Sequence, residues 1–143
     1  MTIDLSDSDL FKTSSYVGGQ WMPDSSRQLA VMNPATGEVI AEVATIGAAG
    51  TLAAITAAHD AMLAWREVPA KVRAQVLRRW FDLMMAHQED LAIIMTTEQG
   101  KTLAESRGEV AYGAAFMEWF GEQAKRIDGD VIQAPSSDKR VLC

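Results

Sequence analysis

From about Ala48 to Ile127 the apolar residues return every three or four positions, a period that commits most of the chain to amphipathic helices. Leu52, Ile55, His59, Met62 and Leu63 form one stripe that runs up to Trp65. Pro69 then stands where a helix can begin, because a first-turn proline gives up no internal hydrogen bond. Val72, Val76, Leu77, Trp80, Leu83 and Met84 mark a second helix. Leu91, Ile94 and Met95 mark a short third one, which Gly100 ends as a left-handed stop. Thr102-Leu103-Ala104-Glu105 is a capping-box signature, in which hydroxyl and carboxylate each satisfy the other residue's free amide. It opens a fourth helix through Ala111, Ala115, Phe116, Trp119 and Phe120 to Ile127, with Gly129 as its stop. Trp65, Trp80 and Trp119 lie on or beside these stripes, which predicts that they pack.

The chain before the helices reads differently. Residues 1–15 form an extended, weakly ordered lead-in. Tyr16-Val17-Gly18-Gly19-Gln20-Trp21 has the pattern of a tight turn joining two short strands. Leu29–Met32 is a further strand that ends at Asn33-Pro34, since Pro34 lacks a ladder N–H and pushes Asn33 out of the helical region. Ala35-Thr36-Gly37-Glu38 is a turn, and Val39–Ala44 is another strand. An edge-type β meander is expected here. Beyond the helices, Val131-Ile132 and Val141-Leu142 read as strands around a polar loop containing Pro135-Ser136-Ser137. The last of them has little to pair with, as if cut mid-element.

Composition excludes several classes. The 143 residues, 48% hydrophobic and 22% charged, suffice for one globular domain. Thirteen Lys and Arg against 19 Asp and Glu give a net charge of -6, which repels phosphate backbones and argues against nucleic acid as a partner. Apolar runs such as Leu91–Met95 are too short to span a bilayer, and Met1–Asp9 has no basic flank or apolar stretch of a signal peptide. With one cysteine, Cys143, no internal disulfide forms, and a cytoplasmic location is expected.

Candidate chemistry is sparse. His59 and His87 lie on different helices, and only Gln88, Glu89 and Asp90 stand near His87, too few converging donors for a metal site. Glu89-Asp90 reads as the acidic first turn that a helix dipole favours. Gly18-Gly19 and Gly47 do not form the strand, Gly-x-Gly-x-x-Gly turn and helix that hold a dinucleotide, so no cofactor is expected to bind this chain alone. Cys143, at the C-terminus, has no base, helix N-terminus or cation fixed beside it, and no catalytic role is expected for it.

As an ordered set the segments are more specific. Val17-Gly18-Gly19-Gln20-Trp21, Asn33–Glu38, Ala61-x-x-Ala64-Trp65-Arg66 and Glu98-Gln99-Gly100-Lys101 resemble the opening of aldehyde dehydrogenases. Arg78–Met85, His87–Leu91 and Phe116-x-Glu118-Trp119-Phe120-x-Glu122-x-Ala124-Lys125-Arg126 are similar to the succinate-semialdehyde dehydrogenase branch. The resemblance runs from about Tyr16 to Leu142.

It implies an α/β fold of the aldehyde dehydrogenase type. The chain would supply an N-terminal β meander plus four amphipathic helices, an incomplete part of the cofactor-binding domain. Residues 16–129 would belong to that domain, and residues 130–143 would begin a strand of an oligomerisation arm. The implied parent is a homo-oligomer that oxidises succinate semialdehyde or a similar aldehyde with NAD or NADP. Its cysteine nucleophile, glutamate base, oxyanion-hole asparagine and cofactor glycines lie downstream and have no counterpart here. The fourth helix faces the substrate tunnel in the family, so Tyr112 and Phe116 are implied as tunnel wall, against the plainer reading that both simply pack. Family members continue past Lys139-Arg140-Val141-Leu142 along a longer strand, which predicts a truncated or frameshifted product or a fragment, inactive by itself. The alternative is a non-catalytic helical module that docks on a full-length relative or another partner.

Overall fold

The computed structural model describes residues 3–22, 27–133 and 135–142. Strands β1 (Tyr16–Val17) and β2 (Gln20–Trp21) form an antiparallel hairpin across the two-residue Gly18-Gly19 turn, with Tyr16 opposite Trp21. The turn rests on helix α1 (Gly47–Trp65), where a Cβ on Gly18 would meet the Ala57 methyl at 3.8 Å. Strands β3 (Gln28–Met32) and β4 (Val39–Ala44) form a second antiparallel hairpin. Its turn is organised by Asn33, whose side-chain oxygen accepts the N–H groups of Ala35 (2.9 Å) and Thr36 (3.3 Å). The β segment is therefore divided into two separate hairpins and not one continuous ladder. Residues 3–15 include one 3-10 turn, Ser8–Leu10, and the Thr13 carbonyl accepts the Ala44 N–H at 2.9 Å.

Helices α2 (Ala70–Ala86), α3 (Gln88–Gln99) and α4 (Leu103–Gln123) follow, with α4 packed against both α2 and α3. Pro69 caps α2 as expected, and Gly100 ends α3 with φ of 74°. Gly100 is also a point of close approach. A Cβ there would lie 2.8 Å from the Pro34 ring, so the Asn33-Pro34 turn sits directly on the end of α3. Two of the sequence motifs thereby meet in space. Helix α4 stops at Gln123, before the Ile127 that its pattern suggested, because the Lys125 and Arg126 amides bond back three residues and tighten the last turn.

The core is built of small side chains. Ala74 of α2, Ala92 of α3 and Ser106, Val110, Ala114 and Gly121 of α4 are buried, with Ile40 and Ala44 of β4. A Cβ on Gly121 would come within 3.3 Å of the Leu77 Cβ, which shows how closely α2 and α4 approach. The Thr96 and Ser106 hydroxyls bond each other at 2.8 Å across the α3–α4 seam. The large residues lie elsewhere, which corrects the expectation that the tryptophans pack. Trp65, Trp80 and Trp119 are 41%, 53% and 60% exposed. Val72, Val76 and Leu83 on α2, with Leu52, Ile55, Met62 and Leu63 on α1, are exposed too. Both α2 and α4 are thus apolar on two faces, one closed by a neighbouring helix and one open.

Strands β5 (Val131–Gln133) and β6 (Arg140–Leu142) pair antiparallel with Val131 opposite Leu142, so the final strand does have a partner. Val131, Ile132, Val141 and Leu142 are all exposed.

Candidate functional site

The two residues implied as tunnel wall lie on α4, whose start is fixed by its cap. The Thr102 hydroxyl accepts the Glu105 N–H at 3.3 Å, and the Glu105 carboxylate accepts the Thr102 N–H at 3.1 Å. Hydrogen bonds from the Thr102 amide and hydroxyl hold the Glu105 carboxyl below the usual carboxylate range. A helix begun there turns Ser106, Val110, Ala114 and Gly121 inward and Tyr112, Phe116, Trp119 and Phe120 outward. Tyr112 and Phe116 meet edge to face, 5.0 Å between ring centroids at 87°. With Ala115, Trp119 and Phe120 they line an open apolar groove of about 380 Å³. At its N-terminal end lies a hollow of about 330 Å³ between Lys101, Glu105, Gly108, Glu109 and Tyr112, where the Lys101 ammonium pairs with Glu109.

What this face can do is limited by its chemistry. It offers aromatic surface to an apolar chain and one ion-paired lysine beside it. Tyr112 and Phe116 touch each other and are 69% and 43% exposed. His59 is exposed on α1, and His87 sits at the junction of α2 and α3. Among the described residues no group of three or more His, Cys, Asp or Glu is placed to hold a metal ion. Cys143 lies outside the described residues.

The acidic pair at the start of α3 has structural partners. Arg107 of α4 grips Glu89 with two bonds of 2.7 Å, which lowers the Glu89 carboxyl. Asp90 is 4% exposed and accepts the backbone N–H groups of Ser6 (3.0 Å) and Asp7 (2.9 Å), which lower it in turn. Sequence reasoning assigned Asp90 to the helix dipole alone. Its partners are backbone amides 84 and 83 residues away, and no side-chain pattern announces such a contact.

Comparison with known proteins gives this half-open architecture a context. Residues 21–143 match the aldehyde dehydrogenase family. Over 139 residues the chain is 55% identical to glutarate-semialdehyde dehydrogenase of Pseudomonas aeruginosa and 49% identical to succinate-semialdehyde dehydrogenase [NADP(+)] of Escherichia coli. Each match covers 96% of this chain and 29% of the relative, so the chain spans less than a third of the relatives' length and corresponds to their N-terminal part. The fold follows suit. It superposes on an NADP-dependent enzyme of E. coli with a TM-score of 0.92 at 49% identity, over 97% of this chain and 29% of that one. For succinate-semialdehyde dehydrogenase from Burkholderia pseudomallei the TM-score is 0.90 at 48% identity, over 96% and 29%. The family match, the identity along the chain and the superposition agree: the chain belongs to the aldehyde dehydrogenase family.

Proposed function

We propose that this chain supplies one wall of a semialdehyde oxidation site and does not complete that site alone. The observation that carries this reading is the open aromatic face of α4, on a fold that matches relatives of much greater length. Tyr112 and Phe116 would line the path of the aldehyde, and the rest of the parent would close over them. The parent reaction is oxidation of succinate semialdehyde, glutarate semialdehyde or a similar aldehyde to the carboxylate, with NAD or NADP accepting hydride. The names of the relatives support that substrate class. Bound nicotinamide would supply the hydride acceptor. This chain's part would be to shape an apolar, water-poor wall beside it.

In the same reading residues 16–129 are the N-terminal part of the cofactor-binding domain, and residues 130–143 begin an oligomerisation arm. The four exposed apolar side chains of β5 and β6 favour that role for the hairpin. Among the described residues no helix is long and apolar enough to cross a membrane. A cytoplasmic homo-oligomer is the parent we infer, with no nucleic-acid partner given the acidic balance.

The test is direct. Purified chain is mixed with succinate or glutarate semialdehyde and NAD or NADP, and nicotinamide reduction is followed. No turnover above background is expected, and measurable turnover would refute the claim of an incomplete site. The exposed faces around Trp80 and Trp119 also favour a second reading, a non-catalytic module that docks on a full-length relative. A discrete stoichiometric complex in sedimentation would select the module; polydisperse association would select the incomplete enzyme.

A further inference from the structure

Residues before β1 have no ladder partner in the described sheets, yet they are held beside β1, where the Ser15 carbonyl accepts the Met22 N–H at 2.8 Å, and at two earlier points. The later one is the bond between the Thr13 carbonyl and the Ala44 amide. The earlier one is Asp90, buried at the first turn of α3, whose two carboxylate oxygens each take one N–H, from Ser6 and from Asp7. Asp7 then uses its own carboxylate to accept the Asp9 N–H at 3.0 Å and start the Ser8–Leu10 turn. Lys12 pairs with Asp9 at 3.2 Å and lies 5.6 Å from the centre of the Trp21 ring. The segment is thus a strap, and both of its described hydrogen bonds to α3 end on one side chain.

We propose that Asp90 is the latch of this strap: the buried carboxylate holds residues 3–12 across the start of α3, and the strap detaches when residue 90 loses either acceptor oxygen. An aspartate suits the task because it offers two acceptors and no donor to two adjacent N–H groups. Asparagine would keep one acceptor and set its own amide hydrogens against the second N–H. The neighbouring Glu89 is committed to Arg107 and does not substitute.

Limited trypsin digestion of the full chain tests the latch, because Lys12 is the first basic residue. Cleavage there reports opening of the strap, while far-UV circular dichroism tracks the helices. In Asp90→Asn, cutting at Lys12 is expected to accelerate about tenfold or more, the effect of losing a hydrogen bond to a charged acceptor. Glu89→Gln, which breaks only the surface pair with Arg107, leaves the rate as in the wild type. Ser6→Pro removes one donated N–H from the strap side, leaves α3 intact and accelerates cutting as well. Should Asp90→Asn lose helix, the Ser6→Pro rate decides. Equal rates in the wild type and the deciding variant would overturn the latch, as would wild-type cleavage as fast as that of an unstructured peptide carrying residues 3–20.

Discussion

Gly100 and Gly108 are both glycines beside α4, and the structure assigns them opposite consequences. Gly100 has φ of 74°, and a Cβ there would stand 2.8 Å from the Pro34 ring. Gly100→Ala should therefore destabilise the chain by about 1–2 kcal/mol from the left-handed backbone alone, with the Pro34 contact adding to it. Gly108 lies inside α4 with nothing within 4 Å of a built Cβ. Gly108→Ala should stabilise by about 0.5–1 kcal/mol through helix propensity. Denaturant titration of both variants checks the pair, and a shared sign would contradict the local geometry. At the start of the same helix, Thr102→Ala removes the cap and should lose about 1 kcal/mol. These three effects were legible in the sequence only in part. The capping box and the Gly100 stop follow from residue type and position, but that Pro34 presses on Gly100 is a long-range fact.

At the scale of the elements, starts and most stops were legible, the end of α4 excepted, and faces only in part. Pro69, Gly100, the Thr102–Glu105 box and the Gly18-Gly19 turn all fall where local chemistry puts them, because each answers to its own backbone. The choice of buried face answers to partners. Of the α2 stripe Val72, Val76, Leu77, Trp80, Leu83 and Met84, only Leu77 and Met84 turn toward α4, and Val72, Val76, Trp80 and Leu83 are exposed. The inner seam is the row Ser106, Val110, Ala114 and Gly121, with Ser106 against Thr96 of α3 and Gly121 against Ala74 and Leu77 of α2, and its repeat of small residues was the available signal for close helix packing. It follows that Ala114→Leu should destabilise by about 1–3 kcal/mol through overpacking. Trp119→Gln, on the open face, should change stability by less than about 0.5 kcal/mol. Thermal unfolding of the two variants separates seam from open face. Glu89, Asp90 and Glu105 cluster at the starts of α3 and α4 with carboxyls lowered by their partners. Their contribution is complete above the ordinary carboxylate value of about 4 and is lost as pH falls through the lowered folded values. The melting temperature should accordingly hold from pH 7 to about 5 and drop below 4; a rise on acidification would contradict the assignment.

For the molecule as a whole, a core of alanine, serine and valine is joined to open faces of tryptophan, phenylalanine and tyrosine. That inversion leaves helix faces unfilled on a chain that spans 29% of the length of the relatives it matches. Of the candidate site, resemblance pointed to Tyr112 and Phe116, and the structure sets them edge to face on an open groove. The decisive measurement is reduction of NAD or NADP with succinate semialdehyde by this chain, alone and mixed with the remainder of the E. coli succinate-semialdehyde dehydrogenase. The account predicts no turnover by the chain alone and turnover on mixing, as the aromatic face of α4 is covered. Turnover by the chain alone would contradict it.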